Sequence, residues 1–171
     1  MIAHDKFTEN VLDLENLMVR QLRSLQQLVD LSRQEREALL KHNDRLMSIT
    51  EDKEALLDQL SLMEDARRKL VQEIAILLEL KSSTTSIVEL VPHFKKEESI
   101  RINRLAEGIN SLAVQAKEMS HANQALICTR LEWLQAAQSF LISMAQPNPG
   151  YRPPVAPASV DSSVWGLEFR A

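Results

Sequence analysis

Over its first 146 residues the chain contains one proline, Pro92, and one glycine, Gly108; the other five prolines and two glycines all follow Gln146. A β-sandwich, a barrel or a βαβ fold needs turn residues about every 8 to 12 positions or glycine-rich phosphate loops, and this stretch offers neither. It reads as long helices followed by a segment of another kind. The expected class is all-α: an elongated antiparallel bundle of three long coiled-coil-like helices and one short connecting helix over residues 1–146, with a Pro-rich C-terminal tail over 147–171.

Hydrophobic spacing places the helices. Phe7, Val11, Leu14, Met18, Leu22, Leu25 and Leu28 recur at steps of three and four, which predicts a first helix from about Asp5 to Asn43. Lys41 to Asp44 then breaks the pattern and allows a reversal. Leu46, Ile49, Lys53, Leu56, Leu60, Met63, Arg67, Leu70, Ile74 and Leu77 form a second stripe. Thr50, followed by Glu51 and Asp52, reads as its N-cap, giving a helix over about 51–80. Ser86 to Glu89 has capping-box spacing ahead of Pro92 and predicts one or two helical turns. The longest stripe runs from Ile102 through Leu105, Ile109, Leu112, Ala116, Met119, Asn123, Leu126, Arg130, Trp133, Ala137 and Phe140 to Met144, predicting a helix over 96–145. Such a helix must pair along its length with the earlier ones. Short connections make neighbouring helices antiparallel. Proline-dense chain after Gln146 favours an extended, polyproline-like tail that is disordered alone.

Composition narrows the function classes. The formal net charge is −4, without the strong basic excess of a protein that tracks phosphates, so nucleic acid is not an expected partner. One cysteine, Cys128, excludes an intrachain disulfide framework and fits a reducing compartment. The longest apolar run is five residues, Ile74 to Leu78, so neither a signal sequence nor membrane insertion is expected and the cytoplasm is the expected location.

The templates of catalysis are missing. Glu118-x-x-His121 is half of the paired motif by which helical bundles hold two metal ions, and no second Glu-x-x-His occurs. His121 and Cys128 are two ligands short of a zinc site, and Cys128 reads as a small core residue. With no phosphate loop and no nucleophile beside a base, neither an enzyme nor a bound cofactor or metal is expected. Four stripe positions are polar. Asn123 reads as a register-setting residue, Lys53 and Arg67 as residues whose stems pack while their heads reach water, and Arg130 as the possible end of the intramolecular core.

Five of the seven aromatic residues, Trp133, Phe140, Tyr151, Trp165 and Phe169, fall in the last 39 positions. They either plug the end of a core or mark a partner-binding end, where interfaces concentrate their energy. Leu126, Leu131, Leu134, Leu141 and Ile142 make the end of the third helix apolar on more than one face, which calls for a cover beyond the hairpin partner.

Three runs carry a family resemblance. Glu35-Arg36-Glu37-Ala38-Leu39-Leu40 before a polar break is similar to the end of helix one in flagellar type III export chaperones of the FlgN type. Leu46-x-x-Ile49-Thr50-x-x-Lys53-x-x-Leu56-Leu57, running into Leu62-x-x-x-Ala66-Arg67-Arg68, resembles their helix two. Asn123-x-x-Leu126-Ile127 resembles a run in their last helix. The resemblance spans about residues 10–145 and implies a chaperone without cofactor that holds hook-filament junction (hook-associated) proteins, prevents premature assembly and presents them to the export gate. Carried over by position, it implicates Leu126, Arg130, Trp133, Leu134, Phe140, Leu141 and Met144 in client binding and Tyr151 in export-gate docking. Trp165, Leu167 and Phe169 alternate along a tail motif that either shields the apolar end or docks to an outside partner. An export chaperone is expected to be a monomer or weak dimer when empty. The competing reading is a self-associating structural adaptor without a secreted client.

Overall fold

The computed structural model describes residues 2–41, 44–80 and 86–145. Its elements are α1 (Ile2–Lys41), α2 (Leu46–Leu77), α3 (Ile87–Leu90) with an attached 3-10 turn (Val91–His93), and α4 (Lys96–Ala145). The fold is all-α, with no strand among the described residues. Two compact units divide the chain, one running to Glu132 and the other beginning at Trp133.

In the first unit, α2 runs antiparallel to α1. Lys53 reaches back to Glu35, and Gln21 near the middle of α1 meets Glu64 farther along α2. α4 then runs parallel to α1 and antiparallel to α2. Arg101 clasps Glu15 with bonds of 2.6 and 3.0 Å, and Asn123 meets Ser32 farther along both helices. Between these points α4 approaches α1 closely, for a Cβ placed on Gly108 would lie 3.0 Å from Leu22 Cδ1. The antiparallel expectation therefore holds for each consecutive pair of long helices, and the first and last are parallel as an up-down-up order requires.

Two apolar clusters fill this unit. One gathers Leu14, Met18, Ile74, Leu90 and Ile102, and the other Leu25, Leu28, Val29, Leu56 and Ala116; Ile109 packs against both. Side chains of this size each contribute about 1.5–3 kcal/mol when taken from water. The connection between α2 and α4 belongs to the first cluster: Ile87, Leu90 and Phe94 are buried, and the Phe94 ring lies 6.1 Å from that of Phe7.

Helix ends depart from the sequence expectation in three places. α2 begins at Leu46, a turn before the expected start, and its N-cap is Arg45 without a side-chain cap bond. Thr50 is not the cap; its hydroxyl donates to the Leu46 carbonyl inside the first turn. The reason is packing, since Ile49 is buried and draws the helix past the better capping residue. The C-terminus comes at Leu77, where Glu79 N–H donates to Ile76 O and Leu80 N–H to Ala75 O, with Glu79 in left-handed backbone at φ 54. This is a Schellman closure. Ser86 is the N-cap of α3 but makes no side-chain cap bond, so its capping-box spacing is unused. The helix over 96–145 is found as expected, with Lys95 N–H donating to the Glu98 carboxylate in its first turn.

Candidate functional site

The polar stripe residues of the first unit form a buried network. Lys53 Nζ donates to Glu35 Oε2 at 2.6 Å, and Asn123 Nδ2 donates to the same oxygen at 2.7 Å and to the Ser32 carbonyl at 2.8 Å. All four residues are buried. Lys53 thus corrects the expectation that its head reaches water: the ammonium is held between helices by a carboxylate. Arg67 is half-buried and also engaged, clasping Glu64 with bonds of 2.8 and 2.6 Å. That bond holds the Glu64 carboxyl below its ordinary value, against the opposing effect of burial. Asn123 joins α4 to α1 as a register residue does.

The sequence signal for Glu35 was present in the stripe of α1. Continuing the steps of three and four from Leu25 and Leu28 lands on Ser32, Glu35 and Leu39, all buried. A charged neighbourhood hid it. A groove of about 510 Å³ opens where the three long helices meet, floored by Leu25, Leu28, Leu60 and Ala116 and edged by Glu64 and Lys117. No group of three or more metal-ligating side chains occurs among the described residues. Cys128 is exposed, not a core residue, because it falls off the buried stripe.

The residues expected to bind a client, and their apolar neighbours Leu131 and Ile142, differ in their surroundings. Within the first unit, Leu126 and Arg130 are half-buried and Leu131 is exposed. Within the second, Trp133 is 70% exposed, Leu134 57%, Phe140 63%, Leu141 64%, Ile142 52% and Met144 69%. Large apolar side chains rarely stand so open in a row without a partner to receive them. Trp133 and Phe140 plug no core. The polar groups between them offer little to a charged ligand: Ser139 and Ser143 donate their hydroxyls to the Gln135 and Phe140 carbonyls of the same helix. The surface can exclude water against another apolar face; it has no grouping suited to bond-making chemistry.

A protein-family model described as FlgN protein matches residues 10–157. The chain belongs to the FlgN family. It is therefore a flagellar export chaperone in its general role. The match takes in most of α1 and all of α2, α3 and α4, and it ends before Trp165, Leu167 and Phe169. Comparison with curated proteins found no match, and comparison with solved structures found none. In this FlgN-family chain Tyr151, Trp165, Leu167 and Phe169, with the rest of the tail over 147–171, lie outside the described residues. No helix among the described residues is long and apolar enough to cross a membrane.

Proposed function

We propose that this FlgN-family chain binds the amphipathic terminal helix of a hook-filament junction (hook-associated) protein on the end of α4, keeps it from assembling early and delivers it to the type III export gate. The observation that carries the reading is the run of open apolar side chains from Trp133 to Met144 in a chain of a chaperone family. An amphipathic client helix laid on these residues follows the helix-in-groove mode, in which apolar anchors supply the affinity. Covering the client's apolar face removes the surface by which it assembles. Leu126 and Arg130 stand at the near edge of the contact, and Tyr151 is the residue offered to the export gate. The protein works in the cytoplasm as a monomer or weak dimer when empty.

Co-expression with a hook-associated protein tests this. A soluble complex is expected, lost when the client's terminal helix is removed and weakened at least about tenfold when Leu134→Asp and Phe140→Asp are combined. Binding that survives both changes rejects the mechanism. A stable homo-oligomer that loses its self-association with the same substitutions would favour a structural adaptor.

A further inference from the structure

The segment from Trp133 to Ala145 carries two apolar stripes. Trp133, Ala137, Phe140 and Met144 prolong the spacing that runs through Asn123 and Arg130. Leu134, Gln138, Leu141 and Ala145 repeat that spacing one residue later, about 100° round the helix. Ile142 widens the second stripe on its far side. Earlier in α4 the equivalent positions are Asn110, Ala113, Lys117, Ser120 and Gln124, small or polar, and they turn apolar at Ile127 and Leu131, so the second stripe belongs to the last part of the helix.

Both stripes are open: Phe140 is 63% exposed on the first and Leu141 64% on the second. Glu132 is the one charged residue between Leu131 and Ala145, and it falls on the opposite, polar side with Gln135, Ser139 and Ser143. A face made of two heptad stripes is wider than one partner helix covers. Two stripes about 100° apart hold two helices. In the first unit, where that second stripe is small or polar, α4 already shares one cluster with both α1 and α2, Ala116 lying among Leu25, Leu28, Val29 and Leu56.

We propose that the client contributes two helical segments with uncharged apolar faces, one lying on the Trp133–Phe140–Met144 stripe and the other on the Leu134–Leu141 stripe. The proposal rests on the client reading above and deepens it. The first stripe continues an interface that already takes helices in the first unit, and the absence of charge along both stripes matches a partner whose contact faces are uncharged. The complex is then a short bundle of α4 with a helical pair, and neither client segment binds fully without the other.

The test uses the full chain with a full-length hook-associated protein and with the same client lacking its terminal helix. Phe140→Glu and Leu141→Glu are a matched pair, adjacent in sequence, equally exposed and on different stripes. Each is expected to weaken the full-length client by about tenfold or more. The shortened client is expected to form no soluble complex, and the weak binding left to its remaining segment, read by titration, should respond to one substitution and not to the other. A full-length client that responds to only one of them overturns the proposal while leaving the client reading intact. If Leu141→Glu instead dissociates an unliganded homodimer, seen by light scattering, the second stripe is a self-association face and the proposal fails. It also fails if Leu141→Glu leaves affinity unchanged while removal of residues 147–171 raises it, since the tail is then the occupant. No binding by the unsubstituted chain rejects the client reading itself.

Discussion

At the scale of single residues, the Lys53–Glu35–Asn123 network is where a small change has the largest structural effect. Its ion pair is buried on both sides, so removing one partner leaves a charge with neither water nor counter-ion. Lys53→Met is expected to cost about 3 kcal/mol of unfolding free energy in urea titration, and the double change with Glu35→Met to recover most of it. A loss from Lys53→Met below about 1 kcal/mol would show that the pair is solvated. Glu64 behaves differently because it is partly open. Arg67 lowers its carboxyl pKa in the folded chain, so its contribution is present above the unfolded carboxylate value and fades as pH falls through the lower, folded one. Glu64→Gln should therefore destabilise at pH 7, with the gap to the unsubstituted chain closing as pH drops below the ordinary value of 4.5. A gap that widens on acidification contradicts that sign.

At the scale of elements, helix bodies and both ends of α4 were legible in the sequence, and the ends of α2 were not. α4 was readable because its stripe keeps its spacing from Ile102 to Met144 without a breaker. The start of α2 was misread because Thr50 has the better local chemistry, while the burial of Ile49 is a tertiary fact. Lys53 was placed on the right stripe but with its charge in water, since its partner Glu35 is visible only once α1 and α2 are aligned antiparallel. The open end of α4 was half legible: the sequence showed apolar residues on more than one face, and structure was needed to show that they are open. The end of α2 yields a prediction of its own. Glu79 holds a left-handed conformation that glycine adopts without steric cost, and in a Schellman closure glycine is the usual residue. Glu79→Gly is expected to stabilise the chain by about 0.5–1 kcal/mol in chemical denaturation, because the relief of the Cβ clash outweighs the added freedom of the unfolded chain. A loss of stability would mean that Glu79 makes a contact worth more than its strain.

At the scale of the molecule, the buried core and the open apolar surface sit in different stretches of one chain. Among the described residues the buried ones run from Asn10 to Asn123, all within the unit that ends at Glu132, and the most open aromatic and aliphatic side chains of α4 follow in the unit that begins at Trp133. An isolated helix as short as Trp133–Ala145 is marginal in water, because nucleation fixes several residues for a single hydrogen bond. Here that segment elongates a helix nucleated and packed in the first unit, so it stays helical while its apolar side chains remain free for a partner. A chain ending at Glu132 should then keep its cooperative unfolding, with a free energy within about 1 kcal/mol of the full chain's, since none of the described residues it loses is buried. The same chain should fail to retain a hook-associated protein that the full chain holds. Circular dichroism during urea titration reads the first outcome and co-purification the second. A truncated chain that unfolds early would place part of the fold's stability beyond Glu132; one that still binds the client would move the binding surface into the three-helix unit, where the groove floored by Leu25, Leu60 and Ala116 is the place to look next.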